Sequence, residues 1–214
     1  MGNFLAVTAF RSDSVADVSA AISEYLIGHG VSVESVSSGS PDEGRDAQIY
    51  APANGWTVVL WPEYFNLYDF PLASSVATAR IWLISTIHVY DDEYWEHLAH
   101  DGATEIHAFC SRPNFWRDEA PDDFERVARF DSTPERLAAA FGCPTATIEP
   151  YLTDADSLPS FDAKAHSGDE FPLGNFWVFA DFWRWLGITY PTPPQNLATV
   201  VRLAKNFSRK LPNG

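Results

Sequence analysis

The sequence predicts an α+β fold, in which a ferredoxin-like β-α-β-β-α-β sheet is extended by a β-hairpin and followed by a mainly helical C-terminal portion. Three observations predict it. Apolar, β-rich runs occupy residues 4–10 and 80–90. Between them, apolar residues recur at helical spacing from Val15 to Leu26. The pairs Asn54-Gly55 and Asp101-Gly102 are dipeptides that two-residue hairpin loops favour.

The first half of the chain alternates strands with helices. Ser12 or Asp13 is placed to cap the first helix, and Gly28 to end it. The second helix carries Pro71 in its first turn. In order, we expect a strand at 4–10, a helix to residue 28, a short strand at 31–37, strands at about 46–51 and 56–61, a helix at 67–79 and a buried strand at 80–90.

The rest of the chain is predicted as a hairpin and then mainly helices and loops. The hairpin occupies residues 93–111, and a helix with Pro134 at its first position occupies 132–142. A long polar loop at 153–174 is of a length that indicates a functional or mobile segment. We expect an aromatic helix at 175–186 and, at 196–211, a basic amphipathic helix that docks on its own domain. The portions 1–111 and 112–214 are expected to form one compact unit.

The formal net charge is −15, and its distribution is uneven. Residues 81–111 carry six acidic residues and no Lys or Arg, whereas residues 182–214 carry five basic residues and no acid. A field of this sign repels nucleic-acid phosphates and attracts basic surfaces. We predict a cytoplasmic protein without a signal peptide or membrane span, because Asp181 and Arg184 interrupt the longest apolar stretch.

The hairpin holds three histidines, which raises the question of a metal site. A two-residue loop at Asp101-Gly102 places Glu96 opposite His107, with His97 on the other face of the hairpin. Because three or four convergent ligands are needed for zinc, this register predicts no metal site and no cofactor. A cross-strand Glu96–His107 pair is then the expected arrangement.

No recognised catalytic motif accompanies these histidines. A histidine oriented by a carboxylate forms half of a catalytic triad, but GxSxG, HExxH, the P-loop and GxGxxG are all absent. Cys110 lies three residues from His107 and so on the opposite face of a regular strand, and Cys143 is interpreted as a small buried side chain. The sequence therefore favours a protein that is not an enzyme.

Two segments resemble a known group of proteins. They are "FCSRPNFWRDE…RFDSTPERLAAAFG", ending in "IEPYL", and "SGDEFPLGNFWVFADFWRWLGITYP". Together they resemble uncharacterised bacterial proteins, common in actinobacteria and planctomycetes, of which some look like immunity or toxin-associated proteins. The resemblance covers about residues 86–191 and carries no catalytic residue.

Charge and resemblance together favour an acidic protein-binding module of immunity type. Its partner would be a basic protein such as a toxin, covered at its active cleft. Tyr94 or Trp95 would anchor the contact, since charged rims need an apolar anchor. The carboxylates assigned to the rim are Asp91, Asp92, Glu93, Glu96, Asp101 and Glu105.

Two alternatives remain open from the sequence. The first is an enzyme or small-ligand-binding protein with a pocket near Tyr64, Glu96 and His107. The second is a scaffold protein without chemistry of its own. The sequence leaves the oligomeric state undetermined.

Overall fold

The computed structural model describes residues 4–35, 41–63, 65, 68–115, 133–191 and 196–204. The strands are Leu5–Phe10 (β1), Val33–Ser35 (β2), Asp46–Tyr50 (β3), Thr57–Leu60 (β4), Leu83–Tyr90 (β5), Tyr94–Asp101 (β6), Thr104–Cys110 (β7) and Leu197–Leu203 (β8). The helices are Val15–Gly28 (α1), Asp69–Arg80 (α2), Pro134–Phe141 (α3), Thr145–Ile148 (α4) and Val178–Trp185 (α5), and short 3₁₀ turns cover Glu149–Tyr151 and Ala155–Ser157.

The strands form one eight-stranded antiparallel sheet with the order β2-β8-β3-β4-β1-β5-β6-β7. The fold class is therefore mixed α+β, as the sequence predicts, and the sheet is larger than predicted. The β6–β7 hairpin extends it at one end, which confirms the predicted extension. The predicted Asn54-Gly55 turn is also present, with both residues at positive φ.

Helices cover both faces of the sheet, so the central strands are buried on both sides. α1 and α2 pack on one face, over a core that includes Phe10, Ile22 and Leu72. α3, α4 and α5 pack on the other, over a core that includes Trp56, Phe141 and Phe182. This two-sided burial explains why nearly every residue of β5 and β6 is buried, including the polar residues of β6.

The segment predicted as a basic C-terminal helix forms a strand where the structure describes it. β8 lies between β2 and β3, where it buries Val201 and Leu203. Arg202 makes two hydrogen bonds of 2.7 Å to the buried Asp46. Burial alone would raise the pKa of Asp46, but the hydrogen bonds from Arg202 lower it. Pairing on both sides thus overrides the helical spacing, while residues 205–211 of the predicted helix lie outside the described residues.

The hairpin register also differs from the prediction. The loop residues are Gly102 and Ala103, because Asp101 pairs with Thr104, and a bulge follows between Ala99 and His100. The predicted pairing of Glu96 with His107 was therefore wrong. Glu96 lies opposite Cys110 and His107 lies opposite Ala99.

The two predicted portions of the chain share this sheet, since β8 pairs with β2 and β3 of residues 1–111. Among the described residues, no helix combines the length and the apolar character needed to cross a membrane.

Candidate functional site

An open groove of about 520 Å³ lies beside α5 and is called here the α5 groove. It is lined by Glu170, Phe171, Trp177, Ala180, Asp181, Arg184, Ile188, Thr189 and Tyr190. Its volume is in the range of small-molecule and side-chain binding sites. All nine residues come from one continuous stretch, so the groove is formed by a helix and the two segments that flank it.

Helical spacing determines which α5 side chains reach the groove. Phe179, Phe182 and Trp183 point to the sheet and are fully buried. Trp177, Ala180, Asp181 and Arg184 lie on the opposite side at spacings of three and four, and they line the groove. Asn175 accepts a hydrogen bond from the Trp177 amide at 2.8 Å, which fixes the start of this helical segment.

Aromatic rings form the apolar wall of the groove. The Trp177 ring lies edge-to-face with Tyr190, their centroids 5.5 Å apart, and 6.3 Å from the ring of Phe171. All three rings are partly exposed. Burial raises the pKa of the Tyr190 hydroxyl, so that group stays neutral at physiological pH.

A cluster of ion-paired side chains forms the polar side of the groove. Arg184 contacts Asp169 at 2.9 Å and Asp181 at 3.0 Å, and both carboxylates are buried. Asp181 also accepts the backbone amides of Glu170 and Phe171, at 2.9 and 2.8 Å. Two charge-assisted contacts with carboxylates therefore neutralise the positive charge of Arg184.

Glu170 is the carboxylate of the groove that remains available to a ligand. It is exposed, and its carboxylate makes no hydrogen bond or ion pair with any residue that the structure describes. Lys164 donates to the main-chain oxygen of Asp169 at 2.8 Å and offsets one negative charge nearby. With Lys164 and Asp169 included, the groove and its support still carry one net negative charge.

The segment predicted as a long loop, 153–174, is held in place and supports the groove. Gly174 donates to the Phe161 carbonyl at 3.1 Å, and Leu173 donates to the Ala163 carbonyl at 2.7 Å. A Cβ at Gly174 would lie 2.5 Å from the Phe161 side chain and 2.8 Å from its carbonyl oxygen. This close approach requires glycine and fixes the chain just before α5.

The turn between β5 and β6 is acidic. Asp91 and Asp92, in the β5–β6 turn, are exposed and have φ of 50° and 61°. The adjoining Glu93 shares a small cavity with Phe176, and Phe176 directly precedes the groove residue Trp177. The small cavity therefore connects Glu93 with the chain segment that leads into the groove.

The structure separates the predicted partner-binding residues into three groups. Asp91, Asp92 and Glu93 lie at the β5–β6 turn, and Asp101 and Glu105 lie at the opposite end of the hairpin. Tyr94, Trp95 and Glu96 are 3%, 2% and 3% exposed, because α2 and α5 cover the two faces of β6. The predicted anchors Tyr94 and Trp95 and the predicted rim residue Glu96 therefore lie inside the protein and not at its surface.

Glu96 instead belongs to a buried triad on the α2 face. His88 lies between Glu96, at its Nε2, and Asp69, whose Oδ2 is 3.6 Å from Nδ1. The ring of Phe70 stacks on His88 at 4.5 Å. Burial alone would lower the pKa of His88, but Glu96 and Asp69 outweigh it and raise this pKa to about 9. Burial raises the pKa of Asp69.

His97 and His107 form a second buried chain, on the α5 face. Their Nδ1 atoms are 2.8 Å apart, Ser85 Oγ is 2.8 Å from His97 Nε2, and Trp183 donates to Ser85 at 2.9 Å. Only one of the two facing Nδ1 atoms carries the shared proton when both rings are neutral. Burial lowers the pKa of His107 to about 3 and, with the neighbouring His107, lowers that of His97 well below its usual value.

The alternative pocket near Tyr64, Glu96 and His107 is not formed as predicted. Glu96 faces α2, whereas His107 faces α5 on the other side of the sheet. Tyr64 lies outside the described residues. Within the described ranges, no three His, Cys, Asp or Glu side chains are grouped as metal ligands would be.

Sequence reasoning missed the α5 groove, although its signal was present. The sequence predicts the aromatic helix, but Asp181 and Arg184 enter that prediction only as interruptions of an apolar run. Charged residues at i and i+3 on an otherwise apolar helix indicate a second, solvent-facing surface.

Comparison of the chain with protein-family models, with curated proteins and with solved structures finds no significant match. The function is therefore argued from the geometry of the described residues.

Proposed function

We propose that the protein is an acidic binding module of immunity type, which acts in the cytoplasm and covers a basic partner protein. The observation that carries the proposal is the α5 groove, which is concave, aromatic on one side and negatively charged on the other. Interfaces of this kind place aromatic anchors at the centre and charged residues at the rim.

The acidic β5–β6 turn supplies the rim of the proposed interface. Asp91 and Asp92 are exposed at this turn, Glu93 pairs with Arg112 at 2.7 Å, and the whole chain carries a net charge of −15. Opposite potentials accelerate the encounter of two proteins and select against acidic competitors. A nuclease-type toxin, whose active cleft binds phosphates, is the class of basic partner that fits this charge.

The three most deeply buried histidines of the sheet favour binding over catalysis. His88, His97 and His107 are at most 2% exposed, and each lies between the sheet and a helix. A catalytic acid or base must reach its substrate directly or through one water. The groove residues contain no nucleophile paired with a base.

We also infer that the centre of the sheet is ferredoxin-like. The strand order β3-β4-β1-β5, with antiparallel neighbours and with α1 and α2 on one face, supports this arrangement. It leaves the second face for α5, and so for the groove.

The proposal is tested by affinity capture from lysate of the source organism, in about 50 mM and about 500 mM salt, with the wild type and two variants compared. One variant removes the rim charges through Asp91→Asn, Asp92→Asn and Glu93→Gln. The other changes the groove through Glu170→Gln and Trp177→Leu. We expect one basic protein, identified by mass spectrometry, that the wild type retains at low salt and that both variants lose.

Glu149→Gln serves as the charge control, because Glu149 is exposed and does not line the groove. A partner that is acidic, or one that both variants retain as well as the wild type does, would contradict the proposal. Melting temperatures of all variants establish that they are folded.

A further inference from the structure

We infer that the α5 groove binds an arginine side chain of the partner protein. The inference rests on the proposed function and specifies the chemistry of the same site. It follows from the aromatic residues that line one wall of the groove and from the charge that the ion pairs within the groove do not neutralise.

The aromatic wall favours a flat cation. The Trp177 ring contacts Tyr190 and also Phe171, Phe176 and Phe179, and its partly exposed portion lines the groove. Indole is the aromatic ring that attracts cations most strongly, and guanidinium also stacks on its face. An ammonium group is more strongly hydrated and lacks the planar surface that stacking requires.

Glu170 is the counter-ion in this arrangement. It is exposed at the groove, and the structure shows no bond from its carboxylate to another described residue. A carboxylate accepts two parallel N–H bonds from guanidinium, a geometry that lysine cannot reproduce. The pair Trp177 and Glu170 therefore selects arginine over lysine.

Arg184 does not convert the groove into an anion site. Its guanidinium already contacts two buried carboxylates, at 2.9 and 3.0 Å. An incoming carboxylate or phosphate would meet Glu170 and Asp181 together with this neutralised arginine. Release of Arg184 to bind such a ligand would leave buried Asp169 and Asp181 without their cation, which is costly.

The test is an NMR titration of the isotope-labelled full chain, observed at the Trp177 indole N–H. The probe is Nα-acetyl-arginine amide, and the comparison ligands are the lysine, citrulline and glutamate analogues. We expect saturable shifts of the Trp177 signal with millimolar arginine probe, binding of the lysine analogue weaker by about threefold or more, and no saturable shift with neutral citrulline.

Two variants check the assignment. Glu170→Gln is expected to weaken the arginine probe by about tenfold, whereas the matched Glu149→Gln leaves its binding unchanged. Because Glu170 is exposed, this change does not depend on whether a Trp177 variant folds. Equal binding of arginine and citrulline, preferred binding of the glutamate analogue, or no Trp177 shift at any probe concentration would overturn the inference.

Failure of the inference is distinguishable from failure of the proposed function. If the captured basic partner binds the Glu170→Gln and Trp177→Leu variants normally but no longer binds the rim variant, the proposed arginine site is wrong. The proposal of an acidic binding surface then still stands. If no basic partner is captured, the proposed function itself fails.

Discussion

The buried histidines show how neighbouring side chains set opposite protonation states within one sheet. His88 lies between two carboxylates and is held in its charged form. His97 and His107 face each other and an apolar helix, and they are held neutral. The sequence alone does not distinguish the two cases, because a bulge in β6–β7 decides which residues face each other.

Stability is expected to fall as the pH rises from about 6.5 to 9, because of His88. Its folded pKa of about 9 lies above the unfolded value, so the folded state holds the extra proton through this range. The contribution is complete below about pH 6.5, is on the order of 3 kcal/mol, and is lost as the pH passes through 9. Urea unfolding at pH 6.5, 8 and 9.5 measures it.

A triple variant with Asp69→Asn, His88→Gln and Glu96→Gln is the comparison for that experiment. It removes the charged triad as a unit, so that no single buried charge is left unpaired. An alkaline loss of stability as steep in this variant as in the wild type would assign the effect to other groups.

On the acid side, the His97–His107 pair is expected to destabilise the fold as the pH falls. Both pKa values are lowered in the folded state, so the unfolded chain binds more protons below about pH 6.5. As the pH falls, each histidine that stays neutral in the folded state lowers the free energy of unfolding by up to about 1.4 kcal/mol per pH unit. This loss continues until the pH reaches the folded pKa of that histidine.

The substitution His107→Phe removes one of the two histidines that take up a proton when the protein unfolds in acid. It should reduce the loss of unfolding free energy between pH 6 and pH 4, as measured by urea denaturation at both pH values. Parallel losses in the variant and the wild type would show that His107 is not the source.

Ile81 provides a prediction about backbone strain. This β-branched residue has a left-handed conformation, φ 57° and ψ 43°, at the end of α2, and it is 81% exposed. Ile81→Gly should therefore raise the free energy of unfolding by about 1 kcal/mol. Ile27→Gly, at a similarly exposed helical position, is the matched control and should lower it. Loss of stability in both variants would indicate that Ile81 packs against a surface.

A residue pattern with helical spacing can form a helix or a strand, depending on the segments that pack beside it. The run "LATVVRL" has helical spacing, yet it pairs with β2 and β3 as β8. Its β-branched residues Thr199, Val200 and Val201 favour a strand, a signal that the periodicity argument outweighed. By contrast α1, with its Ser14 cap and repeated apolar spacing, is local enough to be predicted from sequence.

The segment 153–174 is expected to behave as a fixed support for α5. Gly174→Ala places a Cβ against the backbone and side chain of Phe161 and should cost about 1–3 kcal/mol of unfolding free energy. Gly168→Ala is the control within the same segment, since a Cβ there meets nothing within 4 Å. Thermal unfolding of the two variants is the measurement, and equal effects would mean that the Phe161 contact is not maintained.

At the scale of the whole molecule, the two faces of the sheet differ in structure. The α1–α2 face is closed over an apolar core and the His88 triad, whereas the α5 face carries the groove. Apolar periodicity and turn dipeptides predict the fold class, and composition predicts the net negative charge. The groove depends on the contact of Arg184 with Asp169, fifteen residues earlier in the chain, and no local pattern reports such a contact.

Hydrogen exchange of the protein, free and bound to its captured basic partner, tests the central claim most directly. We expect the complex to protect backbone amides in residues 168–191 and in the β5–β6 turn, since those residues form the proposed groove and rim. Exchange on the exposed side of α1 should remain unchanged. Protection confined to α1 and α2, with the α5 groove exchanging as in the free protein, would contradict the account.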